Sequence, residues 1–245
     1  MKYQKEFFDL QLQFARHVAE ISDVSLERAI LDYTNIYVRL AIGRGFSPDN
    51  PVWLDYVDGL RCSSDVGEWT YRFYLARPHG EPPGVAATFG CFSYAPERPD
   101  RIRIHFENRD TGPGSPLGAE RADARRDELH LLFAHVERTQ PDVREVAGVS
   151  WLYNLPAYRR LFPETYLASA RIAGARFRNM PLWGQFLDRQ GRVKQAAANT
   201  FRDRLSRQSD LDGLAHCFPL QPLAVEASVS DFYRFHGLTT RCSRT

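Results

Sequence analysis

A strand, a glycine-rich loop, a helix and a second strand follow one another over residues 101–154, and this order constrains the fold more than any other feature. Apolar and polar residues alternate over Arg101–Asn108, which is the period of a half-buried β-strand. Glycine and proline then break the chain at positions 112–116, and a polar helix is expected over 117–138. The apolar residues within 143–153 predict a second strand that is buried on both faces. Ligands bind such crossover units at the carboxyl ends of the strands.

Two further segments alternate in the same way, Glu68–Ala76 and Val85–Tyr94. With residues 101–108 they predict an antiparallel meander, because only short turns separate the three. Upstream, apolar residues recur at helical spacing over 4–21 and 25–42. The predicted class is therefore α+β, with a mixed, mostly antiparallel sheet, one strand-loop-helix-strand crossover, and the N-terminal helices packed on the sheet.

The rest of the chain adds shorter elements. We expect strands at 166–172 and 223–227 and a helix at 193–207. No repeat, low-complexity segment or linker is evident, which favours a single domain over residues 1–245. Its three parts are a helical N-terminal part (1–62), the sheet and crossover unit (63–173), and a C-terminal part with a helix and strands (174–245).

The net charge of +2 is too small for an electrostatic surface that binds nucleic acid. Of the 32 basic residues only Lys2, Lys5 and Lys194 are lysines, and the arginines are scattered along the chain. This excess is typical of a GC-rich bacterial genome. Alternatively, some of the arginines bind anions through bidentate contacts that lysine cannot make. The expected partner is a small-molecule substrate, and the oligomeric state stays open.

Neither metal nor membrane binding is predicted. The four cysteines are far apart without CxxC spacing, and the seven histidines show neither HxxH nor HxxxH spacing. The first residues have no apolar segment typical of a signal peptide, and no apolar run reaches the roughly 20 residues that span a bilayer. We therefore expect a cytoplasmic protein.

Two short motifs lie at matching positions in this order of elements. Arg109-Asp110-Thr111-Gly112-Pro113-Gly114 fits the pattern [QR]-x-x-G-x-[GA] between a strand and a helix, and Asn154-Leu155-Pro156-Ala157 fits N-x-x-A after the next strand. Over about residues 25–173 the chain thus resembles the Gcn5-related N-acetyltransferases, which are acyl-CoA transferases. Glycines in such a loop let backbone N–H groups approach phosphate oxygens at a helix N-terminus.

This resemblance implies an acyl-CoA-binding site. The implied cofactor-binding residues are Arg109, Gly112, Gly114, Ser115, Gly118, Arg121 and Asn154. The chain departs from the family at Pro113 and Pro116, which remove N–H donors from the loop, and at Leu161, where the family commonly has a tyrosine. Without an anion, Ser115 is simply a helix cap and Asn154 the cap of a short helix.

Candidate catalytic residues lie just before the loop. His105 and Glu107 are two residues apart on one strand, so their side chains share a face. Either one is placed to deprotonate an amine that attacks a thioester, and a glutamate on this strand is frequent in the family. The alternative is a solvated polar face of an edge strand.

Four further residues are candidates for substrate binding. Tyr153 ends the buried strand, where a ligand is expected. Trp183 and Gln185 place an amide among apolar residues, although a backbone contact would satisfy that amide equally well. Arg39 lies beside a glycine loop and an aromatic stripe, which suits either an anion pocket or core packing.

Two functions follow from these patterns. The first is an acyl-CoA-dependent acyltransferase that moves an acyl group to a small amine or similar acceptor. The second is a non-catalytic ligand-binding or interaction protein that keeps this fold without the cofactor, an alternative that Pro113, Pro116 and Leu161 favour.

Overall fold

The computed structural model describes residues 2–43, 45–78, 84–174 and 180–238. The α-helices in these ranges are α1 (Lys5–Ile21), α2 (Leu26–Tyr33), α3 (Ile36–Arg39), α4 (Pro51–Cys62), α5 (Val66–Leu75), α6 (Ala122–Thr139), α7 (Pro156–Arg159), α8 (Glu164–Ala168), α9 (Gln195–Leu205) and α10 (Val229–Phe235). The strands are β1 (Ala87–Phe89), β2 (Phe92–Arg98), β3 (Arg101–Phe106), β4 (Glu145–Ser150), β5 (Arg171–Ile172) and β6 (Leu223–Ser228). Short 3-10 helices lie at Ala119–Arg121, Trp151–Asn154, Met180–Phe186 and Gly213–Cys217.

The chain divides into two compact units. The first comprises residues 1–83 and 174–221, and the second comprises residues 84–173 and 222–245. Helices α1–α5 and α9 belong to the first unit, and the whole sheet belongs to the second. That the chain folds as one domain, with the N-terminal helices on the sheet, stays a prediction.

Helix α1 is the central element of the first unit. Its apolar residues Phe7, Leu10, Phe14 and Val18 recur at spacings of three and four and are fully buried, which confirms the helix predicted over 4–21. Phe14 packs against an aromatic group of this unit that consists of Trp183, Phe186, Phe201 and Phe218.

The prediction of a single helix over 25–42 is wrong. The helix is interrupted at Thr34 and Asn35, which separate α2 from α3. The hydroxyl of Thr34 donates to the Ile30 carbonyl oxygen at 2.6 Å. The Asn35 N–H donates instead to Oε1 of the buried Gln11 at 2.9 Å. This hydrogen bond to α1 thus replaces the bond that the Asn35 N–H would make within a continuous helix.

The strand expected over Glu68–Ala76 is also wrong, because these residues lie in α5. Asp65 caps α5, since its carboxylate accepts the Glu68 N–H at 2.9 Å. An acid at the cap and a glutamate three residues later form a helix-start signal of the capping-box type. That local signal outweighs the alternation of aromatic residues.

The second unit is built on a six-stranded sheet with the order β1-β2-β3-β4-β6-β5. Strands β3 and β4 are parallel, and the other four neighbouring pairs are antiparallel. The connection from β3 to β4 runs through the glycine loop and α6. The structure thus confirms an α+β fold with a mixed, mostly antiparallel sheet and one crossover.

Several predicted bounds in this unit need correction. The strand expected over Val85–Tyr94 is two strands, β1 and β2, because Gly90 turns the chain with a φ of 57°. The strand expected over 166–172 is mostly helix α8, and only Arg171–Ile172 pairs with β6. The helix expected from residue 117 begins as an α-helix at Ala122, and the strand expected over 143–153 ends at Ser150.

One face of the sheet carries the core of this unit. Phe92, Ile102, Val146 and Val225 from four strands are buried there. Helices α6 and α10 cover them, with Phe133 and Phe232 stacked at 4.5 Å between ring centroids. Burial of each such side chain stabilises the fold by about 1.5–3 kcal/mol.

Candidate functional site

The parallel strands β3 and β4 separate towards their carboxyl ends. They pair only from Arg101 opposite Glu145 to Arg103 opposite Ala147. Beyond these positions β3 continues to Phe106 paired with β2, and β4 continues paired with β6. The sheet therefore opens between its two central strands, at the end where a crossover unit binds its ligand. We call this place the strand opening.

The strand opening presents backbone groups of β4. The Glu145 N–H donates to the Asp100 carbonyl oxygen at 3.0 Å, on the side of β3. Peptide groups along a strand face its two neighbours alternately, so Val149, four residues later, presents its N–H and C=O to the same side. The register places no β3 residue opposite Val149. Such peptide groups can bind the amides of an extended ligand.

Three tyrosines cluster at the strand opening, and two of their hydroxyl groups lie against β4. The hydroxyl oxygens of Tyr153 and Tyr166 are 2.9 Å apart, and the ring of Tyr158 packs on that of Tyr153 with 5.2 Å between centroids. All three side chains are buried, and burial raises the pKa of each phenol well above its usual value. They are therefore protonated at neutral pH. The Tyr153 and Tyr166 hydroxyls occupy the space that a side chain on Gly148 would need.

The start of the glycine loop is fixed by the buried Arg125, which is 2% exposed. Its guanidinium group forms ion pairs with Asp110 in the loop and with Glu128 on α6. Its Nε donates to the Pro116 carbonyl oxygen at 3.1 Å. Desolvation acts to lower the pKa of Arg125, but the two carboxylates outweigh it and raise the pKa. The loop is thus tied to α6 at both of its ends.

Cys91, in the turn before β2, contacts the same region. Its N–H donates to Glu128 Oε2 at 3.1 Å, and its carbonyl oxygen accepts the Glu107 N–H at 2.9 Å. Its thiol accepts the Arg109 N–H at 3.4 Å, and burial raises the pKa of that thiol. Cys91 is therefore a structural contact of the loop and not a thiolate nucleophile.

The end of the loop is held by Arg160, which follows α7. Its Nη2 donates to the carbonyl oxygens of Leu117 and Gly118, at 2.8 and 2.7 Å. Carbonyl groups that are bound from one side turn their peptide N–H groups to the other. Gly114 has a φ of 94°, a conformation that favours glycine. The loop is thus held at its end as well as at its start.

The predicted anion ligands lie around this loop with different partners. Arg121 points back to the loop, with an Nη atom 2.7 Å from where a side chain on Gly112 would begin and its Nε 4.0 Å from Asp110. The prediction that Ser115 caps α6 is wrong. Its hydroxyl accepts the Leu117 N–H at 3.3 Å, before that helix begins. The carboxylate of Glu120 packs against Gly114 and Gly118. A phosphate bound in the loop would lie next to this carboxylate and would be repelled by it.

One candidate base lies on the separated half of β3 and the other lies just beyond it. His105 pairs with Ser93 of β2, and Glu107 follows the end of the strand. Both side chains are partly buried. Asn154 lies after β4, where its Nδ2 donates to the Trp151 carbonyl oxygen at 2.8 Å. Asn154 therefore closes a 3-10 turn. It does not cap the short helix that follows, because Leu155 occupies the N-cap position of α7.

The remaining predicted substrate residues belong to the first unit. Trp183 is fully buried in the aromatic group, and its Nε1 donates to the Tyr33 carbonyl oxygen at 3.2 Å. Gln185 exchanges two hydrogen bonds with the Leu220 backbone, as the structural alternative predicted. Arg39 lies 4.6 Å from the ring centroid of Tyr3, which is a cation–π contact. These contacts explain Trp183 and Gln185 without a ligand, whereas the buried Nε of Arg39 has no hydrogen-bond partner among the described residues.

Sequence patterns missed four residues that shape the loop, namely Asp110, Arg125, Glu128 and Arg160. One signal was present, since Arg125 occupies the first position of the apolar stripe that continues with Leu129 and Leu132. An arginine on the inner face of a helix requires buried partners. Nothing in the sequence identifies those partners.

Over the described ranges, no group of three or more His, Cys, Asp or Glu side chains is placed to hold a metal ion. None of the helices described is long and apolar enough to cross a membrane. Comparison with protein-family models, with curated proteins and with solved structures finds no match to this chain.

Proposed function

We propose that this chain is an acyl-CoA-dependent acyltransferase that moves an acyl group to a small amine or a similar acceptor. The observation that carries the proposal is the separation of β3 and β4 beyond Arg103 and Ala147, directly before a glycine loop that leads into α6. The same combination supports an acyl-CoA N-acyltransferase-like architecture for the second unit. In this arrangement the strand opening binds an extended arm of the ligand, and the glycine loop binds the phosphates attached to that arm.

In this proposal the two parts of acyl-CoA bind to different backbone groups. The amides of the pantetheine arm pair with the peptide groups of Val149 in the strand opening. The pyrophosphate binds to N–H groups of Gly112, Gly114 and Ser115, with Arg109 and Arg121 supplying positive charge. Arg125 and Arg160 contribute indirectly, because they fix the loop conformation.

The transfer step follows from this placement. The acceptor amine attacks the thioester carbonyl carbon, His105 or Glu107 accepts the amine proton, and the C–S bond breaks to release the CoA thiolate. The thiolate then takes a proton, for which the protonated tyrosines at the strand opening are candidate donors. Positioning the amine against the thioester can supply about 7–11 kcal/mol of the barrier reduction.

A second candidate is a non-catalytic binding or interaction protein with the same architecture. The position of the Glu120 carboxylate favours it, because a negative charge against Gly114 and Gly118 opposes a phosphate. Pro113 and Pro116 favour it as well, since both lack an N–H donor.

Thermal unfolding with and without millimolar acetyl-CoA separates the two candidates, with ATP and free pantetheine as controls. A ligand at about 100 times its Kd stabilises by about 2.7 kcal/mol, which raises the Tm by roughly 5–10 °C for a chain of this size. Gly114→Asp should abolish the shift. Gly84→Asp is the matched control, because Gly84 has a similar φ of 90° outside the loop. No shift in the folded wild-type protein would overturn the proposal.

A further inference from the structure

An open cleft of about 420 Å³ lies on the second unit among α7, α8 and α10. Its volume is within the range of roughly 300–1,000 Å³ that is typical of small-molecule sites. The lining residues that matter here are Arg159, Arg160, Phe162, Glu164, Leu167 and Phe235.

The charges of this cleft are only partly compensated. Arg159 is exposed and forms no ion pair with any residue that the structure describes. Arg160 donates Nη2 to two neutral carbonyl oxygens. Among the described residues its guanidinium group has no counter-ion, and its buried Nε has no hydrogen-bond partner. Of the lining residues that the structure describes, Glu164 is the one acid. Two adjacent guanidinium groups against one carboxylate favour an anionic ligand.

The wall of the cleft is apolar. Phe235, at the end of α10, lines the cleft and is 44% exposed. Leu167 lies beside it in the lining, and Phe162, which is 3% exposed, forms the base. Removing this apolar surface from water is favourable in free energy, so a ligand with an apolar part is favoured there.

We propose that this cleft binds a small carboxylate that carries an apolar tail. The carboxylate accepts hydrogen bonds from Arg159 and Arg160, whose planar groups match its two oxygens. The tail lies on Phe235 and Leu167. The site shares Arg160 with the glycine loop, and Phe162 packs on Tyr153 of the strand opening. Octanoate binding is measured without acyl-CoA, so its result can be told apart from the result for the proposed function.

Three probes of equal chain length test the charge preference by isothermal titration: octanoate, octanol and octylamine. The structure predicts saturable binding of octanoate, binding of octanol weaker by about tenfold because a charge-assisted hydrogen bond is lost, and no binding of octylamine. Equal binding of octanol and octanoate, binding of octylamine, or no octanoate binding at millimolar concentration would each overturn the proposal.

Two variants place the ligand in the cleft. Arg159→Gln should weaken octanoate binding about tenfold, whereas Arg138→Gln, an exposed arginine near the end of α6, should leave the affinity unchanged. Phe235→Ser should weaken octanoate and octanol alike, because it removes apolar contact and no charge. If Arg138→Gln lowers the affinity as much as Arg159→Gln, the binding reflects general positive charge and the proposed site is wrong.

Discussion

The hydroxyl oxygens of Tyr153 and Tyr166 lie 2.9 Å apart over Gly148, the first residue of β4 beyond its pairing with β3. A Cβ atom on Gly148 would lie 2.1 Å from the Tyr153 oxygen and 2.4 Å from the Tyr166 oxygen. Two buried polar groups therefore meet at the position where the central strands separate. The absence of a side chain at residue 148 is what makes room for them.

Gly148→Ala should destabilise the protein by about 2–3 kcal/mol, because the new methyl group overlaps two packed hydroxyls. Urea-induced unfolding followed by circular dichroism measures the change. Gly45→Ala is the control, since no described atom lies within 4 Å of its added Cβ, and we expect it to change the stability little. Equal stabilities of the two variants would contradict the packing described.

Arg125→Met should destabilise by about 2–4 kcal/mol, because it leaves the carboxylates of Asp110 and Glu128 close together without their shared cation. The adjacent Arg126→Met is the matched control. Arg126 is half exposed and pairs only with the exposed Asp123, so its loss should cost less than about 1 kcal/mol. Chemical denaturation of both variants makes the comparison, and an Arg125 variant as stable as the Arg126 variant would be inconsistent with a loop held by Arg125.

Stability should depend on pH through His236. Burial, with a smaller effect of the neighbouring His130, lowers the pKa of His236 from 6.5 to about 4. Between these values the unfolded chain binds the proton and the folded chain does not, so the free energy of unfolding decreases as the pH falls from 6.5 to 4.

His236→Phe should reduce this pH dependence, because phenylalanine keeps the stacking on Phe133 and does not titrate. Urea unfolding of both proteins at several pH values between 4.5 and 7 tests the expectation. A variant that loses stability on acidification as steeply as the wild type would show that another group is responsible.

Glu120→Gln should tighten the binding of acetyl-CoA, if the glycine loop binds its pyrophosphate. The substitution removes a negative charge that packs against Gly114 and Gly118 and keeps the shape of the side chain. Asp127→Asn removes an equal charge from an exposed position of α6 and serves as the control. The ratio of the two dissociation constants is the quantity to measure, and a ratio near one would argue against phosphate in this loop.

Long periodic segments could be predicted from the sequence, and short or competing ones could not. Helix α1, the crossover from β3 to β4, and β6 each carry an uninterrupted pattern, and each is present in the structure. Helix α5 was mistaken for a strand because alternating aromatic residues fit both periods, whereas the deciding signal was the cap at Asp65.

The candidate site was predictable only in its position along the chain. The glycine loop and the carboxyl ends of β3 and β4 follow from local pattern, but the contacts that shape them join distant residues. Arg160 reaches Leu117 across 43 positions, and Cys91 reaches Glu128 across 37. The packing that brings these residues together has no local signature.

Hydrogen exchange with and without acetyl-CoA tests the central claim most directly, because it reports on individual backbone amides. The proposal predicts that the ligand slows exchange in two separate segments, the loop at residues 109–118 and the strand opening around Val149. Exchange in the first unit, including α1, should not change. Unaltered exchange in both segments at saturating acetyl-CoA, or protection confined to the first unit, would contradict the account.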